Sequence, residues 1–527
     1  MLTTVRRVGH WTRSDWSAAP LHPLLAAAYP VVFLFASNAA DQVGLAPLWR
    51  PLAMAVGGAM LALAVGRVLL GDWHRGALLA TVLVIGFFGY GHAWNAAVGI
   101  LDSQWPLIGA WALAVLMGVL VAWRAGRWAP GATRVLNVVA AILVLLNAWS
   151  VAGTVVAVAA RQPPPADLSD LELHPPDPDD LPDVYHIILD RYAGSTALEQ
   201  VYDFDNEPFL TSLEERGFSV ARHAHANYIK TPLSLGSSLN LEFLDVAPLR
   251  QEAQDGSDRE PIHRVLRDHL VVPTALKELG YSYVHIGNWW TPSATNIDAD
   301  RVFRYTGQDE FTTVLAQTTI LRAFTEPEAA PTDPWDWRVL REHTLYAMER
   351  LDEVPALPGP KYVFAHLLIP HDPYVFDADG SFMDREQVAA QGQPESYRRH
   401  LSYGNARMLR LVDRILESDD DAVIVISSDE GPFPLRYRQD EDGFDWRDAT
   451  DAELEEKFGI LFAMRVPGVD LTEYGFHDAV TSVNTWRIVF NARFGTDLPM
   501  LPDRTWAHID IHHFYDFFEI TDRLVRE

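Results

Sequence analysis

Residues 183–194 read DVYHIILDRYAG. Val184–Leu189 forms a nearly unbroken apolar run, with Asp183 before it and Asp190 after it. A short apolar run bounded by charge is the pattern of a strand buried on both faces. Similar runs recur at Tyr283–Ile286, Tyr362–Leu368, Ala422–Ile426 and Ile460–Met464. Helical patterns lie among them, at Val272–Leu279, Trp335–Leu351, Ser396–Glu417 and Val483–Ala492. The alternation predicts an α/β domain over 184–527, a sheet sandwiched by helices. In such sheets ligands bind just past the carboxyl ends of the strands, so the residues that leave each strand carry the functional signal.

Upstream of this domain the composition changes. Residues 1–160 hold nine Arg, no Lys and four Asp, a net +5, whereas residues 161–527 hold 33 basic and 66 acidic groups, a net −33. The first part is a series of apolar runs at about 22–40, 51–70, 77–100, 106–123 and 135–159. Each approaches the ~20 residues that cross a bilayer core, so 1–160 is expected to be an all-α transmembrane bundle of about five spans. Arg6, Arg7, Arg13, Arg67, Arg75, Arg124, Arg127 and Arg134 fall on one side and only Arg50 on the other. The positive-inside rule then puts the N-terminus in the cytoplasm and the large domain outside it, in a plasma (inner) membrane. His92, Asn95, Asn147 and Ser150 are polar groups within the runs; they line a lipid path or bond helix to helix. Residues 161–183 carry seven Pro and seven acidic residues, which predicts an extended, self-repelling linker.

Four polar segments follow strand or loop signals. Asp190 leaves the first strand, and Asp429 and Glu430 leave the run VIVISSDEG. Carboxylates gathered at one sheet edge repel unless a cation sits between them; each alone also caps a turn well. Thr231 precedes Pro232 and an apolar helical pattern, which reads as an N-cap with Pro at the first helical position. A hydroxyl there also lies in the positive field of a helix N-terminus, where an anionic phosphoryl or sulfuryl group binds. Lys230 adds charge beside it. The run FAHLLIPHDPY holds His366 within a strand and His371 on a stiff Pro-flanked loop, from which an imidazole can protonate a leaving oxygen. Asp377-Ala-Asp-Gly380 has the look of a short calcium loop but lacks further ligands, so a turn is expected.

These residues resemble the sulfatase-like branch of the alkaline phosphatase superfamily, in its membrane-anchored lipoteichoic acid synthase and phosphoethanolamine transferase type. The resemblance runs from about Asp183 to the C-terminus. It is carried by DVYHIILDRYAG, NYIKTPLSLGSSLNLEFL, HLLIPHDPYVFDADG, SYGNARMLRLVDRIL and VIVISSDEGP. It implies an alkaline-phosphatase-like sheet. It also implies metal ligation by Asp190, Thr231, Asp429 and Glu430, nucleophilic attack by Thr231, and substrate contacts from His371 and His366; Lys230, by its charge beside Thr231, is expected to join the substrate contacts. The family pattern after the strand is Ser-Asp-His-Gly; here it is Ser428-Asp429-Glu430-Gly431. A carboxylate in place of an imidazole makes the set all-oxygen, so one Mn²⁺, Mg²⁺ or Ca²⁺ is expected ahead of zinc. A convergence of these four side chains in one coordination sphere is the condition for activity.

The expected function is metal-dependent hydrolysis or transfer of a sulfate- or phosphate-ester headgroup on an envelope lipid or glycan, at or near the membrane lipid. The alternative is a catalytically degenerate sulfatase-like membrane protein with a binding or structural role, its site disabled by Glu430 and Arg191. A domain at −33 repels nucleic-acid backbones. The absence of cysteine excludes thiolate ligands and disulfides.

Overall fold

The computed structural model describes residues 19–37, 45–97, 100–101, 103–160, 163–169, 171–175, 181–253, 255–305, 310–324 and 337–525. Arg6, Arg7 and Arg13, and linker residues 161–162, 170 and 176–180, lie outside the described residues. The chain divides into two compact units, Met1–Gln162 with Gln308–Asp336, and Pro163–Gly307 with Trp337–Glu527.

The first unit is helical: α1 (His22–Ser37), α2 (Ala46–Leu70), α3 (Trp73–Phe88), α4 (Tyr90–Ala97), α5 (Trp105–Arg124) and α6 (Ala129–Ala160). Among the described residues, three helices are long and apolar enough to cross a membrane, and a fourth span is made if α3 and α4 count as one. About five are expected from the sequence; the described residues give three to four, together with the shorter apolar helix α1. The run 77–100 is not one rod; it bends by 43° between α3 and α4, where Gly89 interrupts the helix. The helix α1 has only 16 residues, short of the ~20 needed to span. Glycines let the helices approach closely: a Cβ on Gly66 would lie 2.8 Å from the carbonyl oxygen of Gly76.

A segment distant in sequence completes this unit. Phe311 and Leu315, one turn apart on the helix Glu310–Gln317, pack with Val31, Val32, Phe35 and Leu48. Gly91 donates its N–H to Thr318 O at 3.0 Å. Asn95 accepts from Arg322 at 2.7 Å, and Asn147 donates to Leu143 O within its own helix. Both polar side chains thus serve protein hydrogen bonds.

The second unit is built on a seven-stranded sheet. Its strands are β1 (Val184–Leu189), β2 (Ser219–Val220), β3 (Ser282–Ile286), β4 (Arg301–Phe303), β5 (Lys361–Leu367), β6 (Val423–Ser427) and β7 (Phe462–Arg465). The order is β2-β7-β6-β1-β5-β3-β4. The central strands are parallel, whereas β7 runs antiparallel to β6 and β2 antiparallel to β7. A small hairpin, β8 (Trp506–His508) with β9 (Phe517–Glu519), stands apart. The two faces bury separate cores. Tyr185, Ile187 and Leu189 face helices Trp337–Glu353 and Gln393–Ser418. Val184 and Ile188 face helices Thr231–Leu239, Val271–Glu278 and Thr485–Arg493. This is the period-two alternation of a strand covered on both sides.

The acidic linker behaves differently from a free spacer. Ala166, Leu168, Leu171, Leu173 and Leu181 pack against the second core, and His174 donates its N–H to Phe494 O. From Ala166 to Leu173 the apolar residues are spaced two to three apart, so one side of an extended chain is buried while Asp167 and Glu172 stay exposed; Asp183 is buried and pairs with Lys361.

Candidate active site

The register of the central strands assembles the site. Ile188 on β1 is level with His366 on β5 and with Ser427 on β6. Asp190 and Asp429 lie two residues beyond Ile188 and Ser427. All three side chains therefore share one face of the sheet, that of Ile188. The same face carries the helix Thr231–Leu239, whose Leu235 and Leu239 pack with Ile188. Sheet pairing and helix docking thus bring four residues from four chain segments to one point.

Among the described residues, one group can hold a metal ion: Asp190, His366 and Asp429, whose ligand atoms all lie within 4.8 Å of one another. All three are buried. Asp190 Oδ1, Asp429 Oδ2 and His366 Nε2 have no hydrogen-bond partner. Buried oxygens and an imidazole nitrogen left unsatisfied in one place are costly unless a cation satisfies them. His366 Nε2 lies 3.3 Å from Asp190 Oδ2, at ion-pair range, and against the effect of burial that carboxylate raises the imidazole's pKa. Burial opposes ionisation of Asp190, yet His371, His366 and Arg191 outweigh it and hold this carboxyl below its usual range. Burial, followed by the charges of Asp190 and Glu430, pushes Asp429 well above that range. Two neighbouring carboxylates split in this way signal a pair that needs positive charge between them.

Thr231 sits differently from the expected cap. Lys230 is the N-cap residue, and Thr231 is the first residue of the helix. Its hydroxyl makes no capping bond and lies close enough to Asp429 to lower that carboxyl's pKa. A side chain with a cap's sequence signature is thereby directed at the carboxylate pair.

Glu430 departs from the expected ligand set. Its Oε1 lies 2.9 Å from Lys457 Nζ and 3.6 Å from Arg191 Nε, and it is not part of the convergent group. The convergent group is two carboxylates and an imidazole, with Glu430 outside it, although Glu430 Oε2 is also buried without a hydrogen-bond partner. The reason is a buried lysine that donates to Gly431 O at 3.0 Å as well and neutralises the carboxylate locally. Gly431 is needed here, because a Cβ would lie 2.2 Å from Glu456 O in the helix that carries Lys457.

Cations surround this centre. Arg191, Lys230 and Lys457 approach the Phe433 ring at 4.7, 4.3 and 3.5 Å. Burial pulls Lys230 down to about 7, with Lys457 and Arg259 adding to the fall. Arg191, at a positive φ of 59°, ion-pairs with Asp372. His371 is half-buried beside that pair, its ring 5.8 Å from Trp289. Burial and Arg191 lower its pKa. The Asp377–Gly380 segment is a turn: Gly380 donates to Asp377 O at 2.8 Å, and Arg399 holds the Asp377 carboxylate.

Lys457, Ser293 and Asn288 were not foreseen. Lys457 is fully buried, and its only sequence signal is a lysine next to Phe458 at the apolar end of a helix. Ser293 and Asn288 contact His366 from the loop after β3, and no residue pattern marks them.

Residues 245–454 match the Sulfatase family model. The matched stretch takes in His366, His371, Asp429 and Glu430 and begins after Asp190 and Thr231. No curated protein matches the chain. Among solved structures, the periplasmic domain of EptC from Escherichia coli, in complex with Zn, is 13% identical. That comparison covers 69% of this chain and 98% of the other, with a TM-score of 0.43. The integral membrane lipooligosaccharide phosphoethanolamine transferase A of Neisseria meningitidis is 12% identical. It covers 88% of this chain and 95% of that one, with a TM-score of 0.37. BT1596, a 2-O GAG sulfatase, is 14% identical over 63% of this chain and 78% of that one, with a TM-score of 0.38.

Proposed function

We propose that this membrane protein is a metal-dependent hydrolase or transferase acting on a sulfate- or phosphate-ester headgroup of an envelope lipid or glycan. One observation carries the reading: three buried, unsatisfied ligand atoms converge, with the Thr231 hydroxyl beside one of the carboxylates. Asp190, His366 and Asp429 would hold a divalent cation, with Thr231 beside it. The mixed oxygen and nitrogen set suits Mn²⁺ or Zn²⁺ better than Ca²⁺. When bound, the ion polarises the ester anion and favours the Thr231 alkoxide.

The remaining chemistry belongs to the chain. Thr231 Oγ1 attacks phosphorus or sulfur and gives its proton to Asp429. The bond to the leaving oxygen breaks, and His371 supplies a proton to that oxygen. Phospho- or sulfo-Thr231 then passes its group to water or to a hydroxyl acceptor. Lys230 and Arg191 offset the charge of the incoming anion.

The test is elemental analysis of the full-length protein in detergent, with turnover of 4-nitrophenyl phosphate and 4-nitrophenyl sulfate. Wild type is expected to carry a stoichiometric divalent ion and to turn over one ester; Asp190→Ala should lose both. A wild type without an ion sinks the proposal. It would favour a catalytically silent binding domain instead, a reading supported by the closed Arg191–Glu430–Lys457 pairing.

The domain's side of the membrane follows from α6. Arg124, Arg127 and Arg134 flank its start and the large domain follows its end, so one crossing by α6 puts the domain opposite these arginines, outside the cytoplasm. This holds whatever the total number of spans. Because the chain has no cysteine, Asp379→Cys in the half-exposed turn gives a clean probe. It should react with a membrane-impermeant maleimide in cells whose outer envelope is permeabilised and whose inner membrane is intact. Labelling only after inner-membrane lysis would reverse the orientation.

A further inference from the structure

Residues 310–324 lie between β4 and β5 in sequence, yet they fold with the membrane helices. Their seat is at one end of the bundle. Phe311 and Leu315 pack with Phe35, in the last turn of α1, and with Leu48, in the first turn of α2. Gly91 and Asn95, which bond Thr318 and Arg322, belong to α4. Arg67 and Arg124 stand in the last turns of α2 and α5, and Arg75 in the first turn of α3. The segment therefore sits at the end of the bundle away from these arginines. The fit is close: a Cβ on Gly91 would lie 2.2 Å from Gln317 O, so only glycine lets the two backbones meet.

The segment ends in a 3₁₀ turn, Ile320–Ala323, whose polar groups are satisfied from within. The hydroxyls of Thr318 and Thr319 donate to Leu315 O and Ala316 O, each at 2.7 Å. Thr319 Oγ1 accepts from Leu321 N at 3.1 Å, and Phe324 N donates to Leu321 O at 2.9 Å. An apolar medium demands a backbone closed in this way. The one charged side chain of the turn, Arg322, is buried and donates to Asn95 Oδ1 at 2.7 Å. What faces outward is apolar: Leu321 is 48% exposed and Phe324 82%. An arginine turned in with a leucine and a phenylalanine turned out reverses the usual order of a water-facing turn. Trp49 and Trp105 are exposed in the first turns of α2 and α5, at the same end of the bundle, where an aromatic belt meets lipid headgroups. Leu321 and Phe324 continue that surface.

We propose that Leu321 and Phe324 insert into the bilayer interface, among the upper acyl chains of the leaflet at that end of the bundle. Residues 310–324 are then a second membrane attachment, supplied from within the sequence of the large domain and separate from α6. The partner is phospholipid in bulk rather than one headgroup, because the turn's only cation is directed at Asn95 and its outward side chains are apolar. The attachment is independent of the chemistry at Thr231.

The chain has no cysteine, so Leu321→Cys and Phe324→Cys can each carry a single nitroxide, with Trp105→Cys and Asp379→Cys as references in the belt and in water. The full-length variants are reconstituted in vesicles of phosphatidylethanolamine and phosphatidylglycerol. Collisions of each label with O₂, which partitions into lipid, and with a water-soluble Ni(II) chelate are then measured by electron paramagnetic resonance. The labels at 321 and 324 should meet O₂ in preference to Ni(II), as at 105, and report a depth of about 5–10 Å below the headgroup boundary. The label at 379 should show the reverse preference. Ni(II)-dominated collisions at both 321 and 324 would place the turn in water and overturn the proposal. Shielding of both labels from both reagents would overturn it too, since protein rather than lipid would then cover the turn.

Discussion

Thr231→Ala is expected to lower kcat/KM on 4-nitrophenyl esters by a factor on the order of 10⁴ or more, or ~5 kcal/mol of transition-state stabilisation. Loss of a covalent nucleophile removes the two-step route altogether, and what survives is binding and electrostatic stabilisation of direct attack by water. The helix should tolerate the change, because Thr231 makes no capping bond and alanine is the better helix former. Thr231→Ser keeps an oxygen at the same atom and should recover much of the rate. It should also yield a covalent phospho- or sulfo-serine when the reaction is quenched with acid and examined by mass spectrometry. Full turnover by Thr231→Ala, or a modified residue elsewhere in the chain, would sink the assigned nucleophile.

The way Thr231 reaches its position explains what the sequence discloses and what it hides. A strand that ends in aspartate is visible as an apolar run with a charge at its exit, so Asp190 and Asp429 stand out before any coordinates. The five expected strands and four expected helices are present, with ends shifted by a few residues at most. Helix signals around Pro232 are equally local. His366 is different. A histidine inside an apolar strand reads as core, and only the register that sets it level with Ile188 makes it a neighbour of Asp190. Register is a property of two strands far apart in sequence. The same limit applies to β2 and β4, of two and three residues, which are too short for periodicity to mark.

Long-range events account for the other corrections. The acidic linker lies on the domain because its leucines find an exposed strip of core, which composition alone does not reveal. The helix Glu310–Gln317 belongs with α1 and α2 although it is more than two hundred residues away. In each case a local pattern supplied the element, and a distant surface decided where it went.

Glu430 is the sharpest instance, and its pairing with Lys457 yields the largest expected change in stability. Lys457→Met should destabilise the second unit by roughly 3–5 kcal/mol, because it leaves a buried carboxylate uncompensated beside Asp190 and Asp429. Arg191 at 3.6 Å is the nearest remaining cation for it. Glu430→Gln should also destabilise, with a definite dependence on pH. Burial already lowers the pKa of Lys457, and Glu430 opposes that fall. Without Glu430 the folded-state value drops further below that of the unfolded chain. The folded state then binds fewer protons than wild type, so the stability lost by Glu430→Gln grows as pH falls below about 8, the folded value of Lys457 beside Glu430. The double variant Glu430→Gln/Lys457→Met removes both charges. It should lie closer to wild type than the sum of the single changes, with a coupling energy of about 1–3 kcal/mol in calorimetric melts of the full-length protein. Strictly additive losses would mean that the pair does not neutralise itself. Coupling would instead explain how a carboxylate can occupy the position after Asp429: Lys457 removes its charge from the site, and His366 on β5, across β1, would supply the nitrogen ligand.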